Sequence, residues 1–222
     1  MKRFICVFSC LVLICSGCGA DHMAMALRSY NRNHNSQENI HLVYHQLDCA
    51  LERSENNSQK ALIFYIYGLL REEQEDIAAA ESYYRRSLHF SPRFLDPIVK
   101  LADCCFRKKE YAEALQLYRE AFFIVNDDMK DFEDGKPNPS HILSDPYIKY
   151  AVENNLVPSV YYMGKYPKKN ALHGESTRKM SKQIKILIEN KIKAAEQMIP
   201  LHKRQEGDSG NAKGGTEHLF ML

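Results

Sequence analysis

The sequence predicts an all-α fold built from helix pairs, and three observations lead there. The stretches Ala61–Glu73, Ile77–Phe90, Leu95–Lys108 and Tyr111–Val125 carry apolar residues at three- and four-residue intervals, which places them on one face of a helix. Matching residue types recur 34 positions apart within these stretches. Only 10 glycines and 8 prolines occur in 222 residues, mostly outside this central region, which favours long helices over a strand-rich sandwich. Apolar residues at 45% and charged residues at 26% are ordinary for a globular chain. A formal net charge of +2 leaves no nucleic-acid footprint, so no nucleic-acid partner is expected.

The N-terminal element reads as an export signal rather than as part of the fold. Met1-Lys2-Arg3 is positive, and Phe4 to Cys15 is apolar or small throughout. As a helix, that run would span about 18 Å, short of the roughly 30 Å hydrocarbon core. A cleavable signal over residues 1–17 has this layout. Cys15-Ser16-Gly17-Cys18 resembles the lipobox of bacterial lipoproteins, with Cys15 where that family usually has leucine. The resemblance implies lipidation of Cys18, which becomes the new N-terminus. It also implies outer-membrane sorting, because Gly19 follows rather than aspartate. The alternative is cleavage after Ala20, releasing a soluble secreted or periplasmic protein.

Four of the 7 cysteines (Cys6, Cys10, Cys15, Cys18) fall in or end this signal, leaving Cys49, Cys104 and Cys105. They read as small buried packing residues. A bridge from Cys49 to Cys104 or Cys105 stays open for an oxidising compartment. No metal-ligand spacing includes them, and no metal or other cofactor is expected.

The helix pairs follow from the recurrence. Phe64, Tyr67 and Gly68 return as Ile98, Leu101 and Ala102, while Ala80, Tyr84 and Ser87 return as Ala114, Tyr118 and Ala121. Bulky positions stay bulky and tight positions stay small, as helix pairs in close contact require. Asp76 is placed to cap the second helix, and Pro92 and Pro97 flank the break before the third. The period and pattern resemble the tetratricopeptide repeat, W-x2-L-G-x2-Y…A-x3-F…P. On that pattern, one repeat covers 61–94, with Phe64, Tyr67-Gly68, Ala80, Tyr84 and Pro92 at the motif positions and Arg71 at the tyrosine place. A second covers 95–128 without the proline. Val43, Leu47 and Ala50 resemble the second helix of a degenerate unit over 22–58, whose first helix is roughly His22–Arg32. The resemblance implies an α-solenoid across 22–128.

Downstream the pattern breaks. Asn126 to Pro139 is acidic and reads as a solvated loop, opening an irregular Tyr-Pro-Lys segment over 129–175. Counting back from Gly135 puts Lys130 and Phe132 where a calcium loop needs oxygen ligands, so a calcium site is excluded there. An amphipathic helix follows in 176–204, with Met180, Ile184, Leu187, Ile188, Ile192 and Ala195 on one side. Its other face carries Arg178, Lys179, Lys182, Lys185, Lys191 and Lys193. It reads as a C-terminal cap, or as a basic surface for a partner or membrane. Residues 205–222, with their glycines, read as a disordered tail.

No P-loop, GxSxG, HExxH or GxGxxG is present, and the 9 histidines are scattered. The expectation is a binding protein rather than an enzyme. The repeat resemblance implies a concave groove at Leu62, Tyr65, Leu69, Glu72, Asp96, Val99, Asp103 and Phe106. Those positions either hold an extended or helical peptide or pack against a neighbouring helix pair. The combined reading is a lipid-anchored envelope adaptor that binds a protein or peptide, in the manner of assembly factors for a pilus, secretion or cell-wall machine. Its rivals are a soluble periplasmic or secreted chaperone or effector, and an envelope hydrolase.

Overall fold

The computed structural model describes residues 18–33, 37–133 and 182–199, and every regular element among them is an α-helix. In chain order these are α1 (Cys18–Asn33), α2 (Gln37–Glu52), α3 (Asn57–Glu73), α4 (Ile77–Phe90), α5 (Leu95–Arg107) and α6 (Tyr111–Glu133), followed by α7 over 182–199. From α1 to α6, each helix packs against the next. None of the described helices is long and apolar enough to cross a membrane. The expected signal over 1–17, the segment 134–175 and the tail 205–222 lie outside the described residues.

Local chemistry sets the helix ends. Asn56, with its side chain accepting from the Ser58 N–H at 2.8 Å, starts α3 four residues ahead of Ala61. Asp76 caps α4 as expected, accepting from the Ala79 N–H at 3.1 Å. The turn closing α3 and the turn closing α5 are the same structure, 34 positions apart. Glu75 and Lys109 both take left-handed φ, 61° and 67°. The Asp76 N–H reaches the Arg71 carbonyl and the Glu110 N–H reaches the Cys105 carbonyl, each at 2.9 Å. Both turns are Schellman closures, and both use a residue with a side chain where glycine would be less strained.

One expectation is corrected. The acidic stretch after Val125 is not loop from its start, because α6 continues to Glu133. Asn126 to Glu133 contains neither glycine nor proline, and the first such residues are Gly135 and Pro137. Acidic residues lower helix propensity only mildly, so an established helix runs on through them.

The core centres on α3, where every residue from Ala61 to Leu70 is buried. A helix enclosed on all sides must be apolar all round, and this one is. Gly68 lies flush against the Tyr84 ring, and a Cβ there would stand 2.3 Å from the Tyr84 Cε1 atom. Ala102 and Tyr118, at the matching places in the next pair, are both buried. In α1 the buried set is Met23, Ala26, Leu27 and Tyr30, a helical stripe whose periodicity is muted by the small Ala26. Ile184, Ile188 and Ala195 of α7 are buried as well, so the apolar side of that helix faces protein.

Candidate partner-binding surface

The eight groove positions fall into two groups. Leu62, Tyr65, Leu69, Asp96 and Val99 are all below 5% exposed. Tyr65, the aromatic most suited to anchor a ligand, packs against Phe94 (ring centroids 5.3 Å) and Tyr84 (6.1 Å) instead. Burial holds its hydroxyl far above the usual range, with the nearby Asp96 carboxylate adding to the effect. These five positions are therefore inter-helix packing, the second of the two sequence readings. The signal was present in the unbroken apolar run Ala61–Leu70, which no open face would carry.

Glu72, Asp103 and Phe106 remain accessible and meet in one cleft of about 340 Å³, which Arg107, Tyr118, Lys191 and Ala194 complete. Its polar part is built twice. Tyr84 donates its hydroxyl to Glu72 at 2.7 Å, and Lys100 from the following helix reaches the same carboxylate at 3.1 Å. Tyr118 donates to Asp103, and Lys191 from α7 reaches that carboxylate in turn. In the second set α7 supplies the lysine that α5 supplies in the first. Arg107 adds a longer approach to Glu72 at 3.9 Å. Burial raises the hydroxyl pKa of Tyr84 and of Tyr118, and the adjoining carboxylate raises each further. Both hydroxyls therefore stay protonated and act as donors.

The basic residues of the last helix divide similarly. Lys191 is held by Asp103 and lies 5.5 Å from the Tyr118 ring, and Lys185 lies 5.2 Å from the Phe122 ring. Lys182 and Lys193 are exposed. Arg178 and Lys179 lie outside the described residues, as does Met180. Glu196 of the same helix pairs with Arg119 of α6 at 2.8 Å. The roles of Lys100, Arg107 and Tyr118 in the cleft were not visible in the sequence. Their partners lie 28, 35 and 15 positions away, and nothing in a local pattern reports such pairings.

Cys49, Cys104 and Cys105 are free thiols, the last two buried. Burial pushes Cys104 and Cys105 up to about 12, with nearby carboxylates contributing. Cys105, Glu110 and Glu113 bring ligand-type atoms within 4.8 Å of one another. Both glutamates are already engaged, Glu113 by Arg85 at 2.6 Å and Glu110 by Lys108 at 2.8 Å. A protonated thiol and two neutralised carboxylates make a weak donor set for a cation. No protein-family model matches the chain, and no curated protein sequence matches it significantly.

Proposed function

We propose that this chain is an exported envelope adaptor that binds a protein partner through tetratricopeptide-like helical repeats. In this reading α1 to α6 form a short α-solenoid, α7 caps it, and lipid on Cys18 anchors it at the outer membrane. The recurrence of the Glu75 and Lys109 turns at the repeat period supports the solenoid. The cleft at Glu72, Asp103 and Phe106 carries the binding reading. It joins an accessible aromatic side chain to opposed charges, a combination that suits a peptide with one apolar anchor and polar flanks.

Recovery of crosslinked partners from intact cells tests this reading. Phe106→Ala combined with Arg107→Glu is expected to abolish recovery while helix content by circular dichroism stays at the parent value. Undiminished recovery would move the partner off this cleft. Tyr65 is unsuited to such a test, because its truncation opens the core. The mass of the mature N-terminus, measured on the same preparations, is expected to show a lipid-modified Cys18. An unmodified N-terminus beyond residue 18 would remove the anchor from the proposal and leave the binding cleft to stand alone.

A further inference from the structure

A second groove, remote from the cleft in its chemistry and its lining, lies where α2 meets α3 and α4. It measures about 460 Å³ and is lined by Ile40, Tyr44, Tyr67, Arg71, Tyr83 and Arg86, among others. Its floor is a continuous row of stacked rings. Tyr44 stacks on Tyr67 (5.7 Å), Tyr67 on Tyr83 (5.1 Å), Tyr83 on Phe64 (6.4 Å) and Phe64 on Phe90 (5.5 Å), with interplanar angles between 9° and 21°. Three cations lie over this row. The Arg86 guanidinium is 4.1 Å from the Phe64 centroid, Arg71 is 5.3 Å from Tyr44, and Lys60 is 5.7 Å from Phe90.

Most other cations from α3 to α6 are matched. Arg85, Arg93, Lys100, Arg107, Lys108 and Arg119 each sit within 4.0 Å of a carboxylate. In this groove region Lys60, Arg71 and Arg86 have rings beneath them and no carboxylate within 4.0 Å among the described residues, a combination that recurs at Lys185 over Phe122 on α7. Arg71 also keeps its Nε buried without a hydrogen-bond partner. The carboxylate lining this groove, Asp48, already accepts the Tyr67 hydroxyl. A guanidinium stacked on a ring keeps its in-plane N–H groups available to a carboxylate, and Arg86 is placed to use them. Arg71 already gives its Nη1 to the Gln74 side-chain oxygen at 3.2 Å, which leaves its other N–H groups for a ligand. Phe64 and Tyr67 are buried in the row, whereas Tyr44, Tyr83 and Phe90 are only partly buried and provide rigid apolar area with little entropy to lose on binding.

We infer that this groove is a docking surface for an acidic peptide segment of a partner protein. Its carboxylates pair with Arg71 and Arg86, and an aromatic or proline side chain extends the ring row. The charge of the groove sets the sign of the ligand, and the ring row sets its apolar component. The surface is independent of the cleft at Phe106 and does not rest on the function proposed for it.

Fluorescence anisotropy on the full chain tests the inference, with a labelled peptide of alternating Glu and Tyr and its Lys–Tyr counterpart. The acidic peptide is expected to bind saturably and to weaken as salt rises. Arg71→Gln with Arg86→Gln is expected to weaken it by about tenfold or more. Phe106→Ala is expected to leave it unchanged. If the double variant loses helix content, the exposed Arg86→Gln alone gives the same reading, with a smaller loss. Equal binding of both peptides, undiminished binding to the arginine variants, or loss with Phe106→Ala would each overturn the inference. So would arginine-dependent binding of phosphatidylglycerol vesicles without peptide binding, which would assign the groove to a membrane surface.

Discussion

Residues 61–94 and 95–128 close their first helix with the same turn, yet on the face behind it they exchange polar for apolar. The first segment places Leu69 and Glu72 there, the second Asp103 and Phe106. Positions three apart share a helix face, so each segment keeps one carboxylate and one apolar side chain and reverses their order. The tyrosine of the following helix adapts, Tyr84 reaching Glu72 and Tyr118 reaching Asp103. A second difference is internal: buried Ser87 donates to the Ala61 carbonyl at 2.6 Å, and its counterpart Ala121 carries no hydroxyl. Backbone turns and close approaches are thus set by packing geometry. The polar partner is set only by the need to satisfy a tyrosine hydroxyl, and more than one position meets that need.

The largest expected effect separates the segments by pH. Tyr65 and Tyr84 are held protonated by burial in the first, and Tyr118 in the second. Cys104 and Cys105, pushed up to about 12 by burial, occur only in the second, where Leu70 and Arg71 are their counterparts. A raised folded-state pKa leaves stability complete below the unfolded pKa and removes it as pH rises toward the folded value. Each such group lowers stability by about 1.4 kcal/mol per pH unit across its window. Losses therefore begin near the thiol range, about pH 8.5, and steepen near the tyrosine range, about pH 10. Urea unfolding from pH 7 to 11 should follow that course. Cys104→Ala with Cys105→Ala should delay the onset by about one pH unit, and an unchanged onset would mean the thiols ionise freely in the fold.

Gly68 and Ala102 sharpen the same comparison. A methyl group at 68 meets the Tyr84 ring at 2.3 Å, and that ring is fully buried and cannot swing clear. Gly68→Ala should destabilise by about 1–3 kcal/mol through overpacking, even though alanine is the better helix former. Ala102→Gly should cost less, about 0.5–1 kcal/mol, because it removes a methyl group and loosens the helix without a clash. Chemical denaturation of both variants measures this. A neutral Gly68→Ala would show that the two helices stand further apart than described.

The legibility of the fold had a physical limit. Helix existence was readable because burial of one face writes a period of three to four into the sequence, and the Asp76 cap was readable because capping is local. Acidity in Asn126–Glu133 reads as a loop signal, yet with no glycine or proline there α6 continues through it. The groove divided along the same line. Glu72, Asp103 and Phe106 line one cleft, whereas Tyr65 and Leu69 are buried, because α3 is enclosed rather than half-exposed. Lys191 was readable as basic but not as the partner of Asp103, since a contact across 88 positions leaves no trace in local spacing.

The exchange of polar and apolar positions can itself be tested by undoing it. Asp103 sits between the Tyr118 hydroxyl and the Lys191 ammonium, with its side chain 28% exposed. Asp103→Leu gives position 103 the residue found at 69 and strands both partners. The expected loss is about 1–2 kcal/mol, below the cost of stranding a fully buried charge because water still reaches the pair. Adding Phe106→Glu then reproduces the Leu69–Glu72 order and returns a carboxylate to the face that Tyr84 uses in the first segment. The double variant should recover roughly half or more of that loss, giving a coupling of about 0.5–1 kcal/mol between positions 103 and 106. Equilibrium unfolding of the two single variants and the double variant completes the cycle. Additive losses would mean that Tyr118 cannot follow the carboxylate by one turn, and that the two segments differ in backbone placement as well as in side-chain order.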